Sequence, residues 1–168
     1  MAQCGANYLS QRGTGRIDQF RRELAKHSLI ALDSSIFIYH FEANPTYLPL
    51  TEIVLSTIAD GTCQGIISTV TIMELTVWPW KQNRGDVARQ YELLLANFPN
   101  LIIADVSRDV ARKAAQLRAL YNVRPADALL VATGLVNGAT AWVSNDIQLR
   151  RLASELEIFI LDDWRQTN

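Results

Sequence analysis

Four acidic residues, Asp33, Glu74, Asp127 and Asp146, are the side chains here best suited to chemistry. Clustered carboxylates repel one another, and a hard divalent cation with oxygen ligands removes that repulsion. A cation held this way can bridge phosphate oxygens, activate water and stabilise the leaving oxygen of an in-line displacement. Histidine is not required, and only His27 and His40 exist. His40 lies in an aromatic stretch with Phe37, Tyr39 and Phe41 and reads as a packing or helix-end residue. Each acid also has a plainer reading. Asp33 and Asp146 could cap the helices they precede. Asp127 suits the dipole in a first helical turn. Glu74 could be an exposed helix residue.

What singles the four out is the set of elements that must position them. Short apolar runs at 29–32, 65–68, 101–104, 141–143 and 158–161 read as strands. Between them, helical patterns cover 50–59, 71–78, 86–98, 108–121, 125–137 and 146–155. Pro79 is expected to end the helix at Trp78. Ser107 is expected to cap the helix that follows it. Alternating strands and helices imply a parallel sheet covered on both faces. In such sheets ligands sit outside the carboxyl ends of the strands. Asp33 directly follows the first strand, Asp146 comes three residues after Val143, and Glu74 lies a turn into the helix leaving the second strand. The helix bearing Asp127 ends at Asn137 and feeds the fourth strand through Gly138-Ala139. Its beginning therefore lies at the opposite, carboxyl edge. The plainer readings do not explain why all four acids reach that edge.

Composition bounds the remaining possibilities. The chain has 168 residues, enough for one domain, and is 49% apolar, which excludes wholesale disorder. Sixteen basic residues against 17 acidic ones exclude a binder that works by bulk positive charge. Setting the four acids aside leaves 16 against 13, so a nucleic acid partner held through metal ions stays compatible. Cys4 and Cys63 stand in no metal-type or disulfide-type spacing, which points to a reducing compartment. There is no membrane-length apolar run and no secretory leader, so the expectation is a cytoplasmic protein. Residues 1–28 form a separate arm of charge +3 before a −4 remainder. Its first 15 residues are expected to be mobile. Residues 16–27 read as a helix, with Ile17, Phe20 and Leu24 on one stripe. That helix is expected to dock on the domain, an RNA-steering or partner-binding arm being the alternative.

Four blocks in order resemble the PIN-domain nucleases, and most closely the single-domain toxin ribonucleases of the VapC type. They are Ala31-Leu32-Asp33-Ser34-Ser35-Ile36, Ile67-Ser68-Thr69-Val70-Thr71-Ile72-Met73-Glu74-Leu75, Pro125-Ala126-Asp127-Ala128-Leu129-Leu130 and Trp142-Val143-Ser144-Asn145-Asp146. The resemblance spans residues 29 to 164 and implies a PIN domain over 29–168. It implies a three-layer α/β/α sandwich on a five-stranded, mainly parallel sheet of order 3-2-1-4-5, which makes Asp33 and Asp146 neighbours. It implies Mg²⁺- or Mn²⁺-dependent hydrolysis of RNA phosphodiester bonds by the toxin of a type II toxin–antitoxin pair.

Carried over, Asp33, Glu74, Asp127 and Asp146 form the catalytic and metal-binding set. Asp33 and Asp127 are the expected direct metal ligands. Glu74 and Asp146 complete the shell, hold a second ion or orient water. Ser35 and Ser144 are expected to hydrogen-bond these carboxylates, and Asn145 to position substrate or shape a turn. Arg150 and Arg151 are candidates for RNA phosphates, with Arg84 and Arg89 further ones. The implied partners are RNA, an antitoxin covering the acidic cleft with an Arg among the carboxylates, and a second copy of the chain. Helices 50–59 and 86–98 are the candidate dimer surfaces.

The long arm and the Trp78-Pro79-Trp80 segment depart from the family pattern. The tryptophans are expected to cap the core, an exposed platform for bases or a partner surface being the alternative. Other classes fit less well. A dehalogenase-type phosphatase would want a second Asp at position 35, where Ser35 stands. A receiver domain would use Asp105 but lacks the paired acids after the first strand. A glycine-rich dinucleotide turn and a G-x-S-x-G elbow are missing. An RNA-processing PIN nuclease outside a toxin–antitoxin system and an inactive PIN-like binding module remain the rival functions.

Overall fold

The computed structural model describes residues 6–165, with side chains from residue 15 onward. The chain runs α1 (Ala6–Leu24), β1 (Leu29–Leu32), α2 (Ser34–Phe41), α3 (Leu48–Ala59), β2 (Gln64–Ser68), α4 (Thr69–Lys81), α5 (Gly85–Ala96) and β3 (Leu101–Ala104). It continues through α6 (Arg108–Tyr121), α7 (Pro125–Val136), β4 (Ala141–Ser144), a 3₁₀ turn (Ile147–Leu152), β5 (Glu157–Ile160) and a last 3₁₀ turn (Leu161–Trp164). The sheet is ordered β3-β2-β1-β4-β5, and every pairing is parallel.

Parallel strands need covered faces, and the side-chain alternation supplies two cores. Ile30 and Leu32 of β1, Ile67 of β2 and Ala141 and Val143 of β4 enter one apolar cluster with α1, α2 and α3. Ala31, Ile66 and Trp142 point the other way, into a cluster with α6 and α7. These are the three layers expected. Helix α7 lies so close to β1 that a Cβ at Gly134 would stand 2.5 Å from the Ala31 Cβ. Gly134→Ala should therefore lower stability by about 1–3 kcal/mol, outweighing the better helix propensity of alanine. A drop in the thermal midpoint checks this.

Several boundaries differ from expectation. Helix α1 begins at Ala6, inside the segment expected to be mobile, while residues 1–5 lie outside the described residues. Its Phe20 and Leu24 are fully buried in the first core. Phe20 stacks on Trp164 with centroids 4.9 Å apart, and Arg21 donates to the Ser56 hydroxyl of α3 at 2.8 Å. Helix α4 does not stop before Pro79 but continues to Lys81. Proline at this point forfeits one amide in the last turn, and the amides of Gln82 and Arg84 satisfy the carbonyls of Trp78 and Pro79. The expected helix over 146–155 is instead the short 3₁₀ turn. Helix α3 buries Leu50, Ile53, Val54, Leu55 and Ile58 within the chain, so it offers no apolar stripe for a dimer. Helix α5 leaves Leu93 and Leu94 exposed. The tryptophans do not cap the core, since Trp78 is 66% and Trp80 58% exposed. Among the described residues no helix is long and apolar enough to cross a membrane.

Candidate active site

The strand register explains how the acids meet. Leu32 is paired with Val143, and the Asp33 amide donates to the Val143 carbonyl at 3.0 Å. Asp33 thus leaves β1 level with Ser144 at the end of β4. The Ser144 hydroxyl donates to Asp33 Oδ2 and accepts from the Asp146 amide at 3.0 Å, joining the two acidic loops. Ser35, in the first turn of α2, donates to the same Asp33 oxygen at 3.0 Å. Glu74, one turn into α4, is held by the hydroxyl of Ser34. Asp146 caps the 3₁₀ turn by accepting from the Gln148 amide at 2.9 Å, the plainer reading of that residue. Asp33 stands at the N-cap of α2 without a side-chain cap bond.

Asp33, Glu74 and Asp127 line one open cleft together with Ser34, Ser35, Ile38, Met73 and Val77. The electrostatics tie the fourth acid to them. Burial raises the Asp127 carboxyl above its ordinary value, and the charges of Asp33, Asp146 and Glu74 raise it further, against the opposing charge of Arg124. Asp33 is also raised by burial, against hydrogen bonds from Ser144 and Ser35. Among the described residues none of the four carboxylates has an ion-pair partner. Nor are three His, Cys, Asp or Glu side chains close enough to hold a metal as they stand. Serine hydroxyls and a turn amide hold three of the four acids instead. The donor set, hard oxygen ligands carrying uncompensated charge, is nevertheless one that suits Mg²⁺ or Mn²⁺.

The remaining sequence candidates are engaged in contacts of their own. Asn145 accepts from the Asp162 amide at 3.0 Å and fastens the C-terminal turn. Arg150 pairs with Asp163, and Arg151 donates to the carbonyls of Gln148, Tyr121 and Asn122. Arg84 pairs with Asp86. His40 makes a 3.3 Å contact with the Thr51 hydroxyl, as a packing histidine does. Two residues at the edge were missed. Ser34 steadies Glu74, though only its neighbour Ser35 was expected to act. Arg124, exposed at the N-cap of α7, is the basic side chain whose charge reaches Asp127. The sequence signal for Arg124 was its place just before Pro125, at the edge where Asp127 begins its helix.

A family model described as the PIN domain matches residues 30–155. A search of the curated proteins finds no match. Among solved structures, a toxin–antitoxin complex from Klebsiella pneumoniae is similar at 20% identity and a TM-score of 0.60, over 80% of this chain and 98% of that one. The DNA-bound VapBC of Salmonella typhimurium is 19% identical with a TM-score of 0.57, over 80% and 98%. VapBC2 of Rickettsia felis, bound to a promoter DNA fragment, is 18% identical with a TM-score of 0.58, over 77% and 96%. At these identities the likeness is one of fold, and helix α1 lies outside the family match. With three-quarters of its length inside that match and the sheet order and acidic edge to go with it, this chain belongs to the PIN-domain family.

Proposed function

We propose that the chain is a divalent-metal-dependent endoribonuclease and the toxin of a toxin–antitoxin pair. The observation that carries this reading is the acidic edge itself. Asp33 and Asp127 are pushed toward protonation by burial, and Asp127 also by its acidic neighbours, which is costly unless a cation binds there. The likeness in fold to chains of three toxin–antitoxin complexes supports the second half of the reading.

When bound, Mg²⁺ or Mn²⁺ supplies positive charge for the phosphate and lowers the pKa of an attacking water. Asp33 and Asp127 are assigned to hold it, with Glu74 and Asp146 orienting water or a second ion. Ser35 and Ser144 fix the Asp33 carboxylate, and Ser34 fixes Glu74. Arg124 stands where it can meet a phosphate oxygen of RNA entering over the N-terminus of α7. An antitoxin segment that covers the cleft would inhibit by placing a cationic side chain among the acids. If the chain also pairs with a second copy, Leu93 and Leu94 on α5 are the large exposed apolar residues of the two helices considered.

Induced expression without a partner should arrest growth, and Asp33→Asn should relieve the arrest while the protein accumulates to the same level. Equal toxicity of the variant would overturn the mechanism.

A further inference from the structure

Trp78, the exposed aromatic one turn beyond Glu74, has no role in the core. It forms one side of a small groove of about 110 Å³ lined also by Ile38, Phe41, Glu42, Pro79 and Tyr91. Phe41 and Tyr91 stack on each other, their centroids 4.9 Å apart and their planes 21° from parallel. Glu74 lines both this groove and the acidic cleft, so one opens beside the other. Trp78 lies four positions along the helix from Glu74, a rise of about 6 Å, within the reach of one nucleotide. Glu42 is exposed at the groove, and among the described residues its carboxylate has neither an ion pair nor a hydrogen bond.

We propose that this groove is a nucleobase subsite, resting on the ribonuclease reading above. It takes the base next to the scissile phosphate, stacked on Trp78 with the Glu42 carboxylate facing its edge. Aromatic faces hold unstacked bases, and single-stranded RNA is read by stacking together with hydrogen bonds to base edges. A carboxylate accepts only, so the favoured base presents N–H donors. Guanine, with adjacent ring and amino N–H groups, matches both oxygens, and uracil matches least. The volume suits one planar base. Trp80 does not share this role, because its ring packs over Gly85, where an added Cβ would lie 2.9 Å from it.

The test uses full-length protein, with Trp78→Ala, Trp78→Phe and Glu42→Gln, on short single-stranded RNAs differing in the base beside the cut. Cleavage is followed with Mn²⁺, and binding with Ca²⁺ by fluorescence anisotropy. Trp78→Ala should raise KM and Kd roughly 10-fold and flatten the base preference, with kcat largely kept. Trp78→Phe should recover part of the loss, and Glu42→Gln should reduce the preference for guanine over uracil. Unchanged KM, Kd and cut sites in Trp78→Ala would overturn the subsite. So would a variant that cleaves normally but no longer binds a co-expressed antitoxin, which would make the groove a protein-docking surface. If the wild-type protein does not cleave, the ribonuclease reading fails. The binding arm then still decides the subsite, which stands only if base-selective binding depends on Trp78.

Discussion

Asp33→Asn will abolish metal-dependent RNA cleavage and, in the same protein, raise the melting temperature of the metal-free form. The loss should be on the order of 10³-fold in kcat, the scale on which removing a charge-stabilising group at a reacting centre acts. The gain in stability follows from linkage. The folded-state pKa of Asp33 is raised by burial, so between its unfolded and folded values the native chain binds more protons than the unfolded one. Stability of the metal-free protein therefore falls as pH rises from the ordinary carboxylate range through the raised folded value. Asparagine carries no charge to desolvate, and its carbonyl can still accept from Ser35 and Ser144. At neutral pH the variant should melt several degrees higher, since about 1 kcal/mol corresponds to roughly 2–4 °C in a domain of this size. Mn²⁺ should raise the midpoint of the wild-type protein by mass action and that of the variant much less. Calorimetry from pH 4 to 8, with and without Mn²⁺, reads both effects. A variant that melts lower than wild type across that range would contradict the cost assigned to the buried carboxylate.

Phe20→Ala should be among the substitutions most damaging to stability. Phe20 is fully buried, stacks on Trp164 and lies 6.1 Å from Phe159. Truncating such a ring leaves a cavity and costs about 3–5 kcal/mol. Total stability is commonly about 5–15 kcal/mol, so a fall of about 10 °C or more in the midpoint is expected. If α1 were only a tethered arm, the midpoint would scarcely move. Activity per folded molecule should be kept, because among the described residues the helix packs against α3 and the last 3₁₀ turn, away from the acidic edge.

How far the sequence carried the site depends on the kind of feature. The strands and the acids at their ends were legible because alternating elements and short connections constrain which edge each residue reaches. The adjacency of Asp33 and Asp146 was not, since strand order is set by tertiary pairing; it came only with the family resemblance. Ser34 and Ser35 follow the same aspartate, and only the rotation of α2 decides which one reaches Glu74. Pro79 misled because a proline removes only the one bond its missing N–H would have made to the carbonyl four residues back, and the helix runs on to Lys81. The fate of Trp78 depended on where the stripe of α4 faces, which a helix with apolar residues on every side does not reveal. The arm was legible as a helix with an apolar stripe, yet its depth of burial rested on Trp164 at the far end of the chain.

The four carboxylates are proposed to act by holding a divalent cation. The direct test is single-turnover cleavage of single-stranded RNA by protein stripped with EDTA, with Mn²⁺ then restored, in wild type and Asp127→Asn. No cleavage is expected in EDTA, with recovery on Mn²⁺ in the wild type alone and cuts at the same phosphates before stripping and after restoration. Cleavage that persists in EDTA and is unchanged by Asp127→Asn would contradict it.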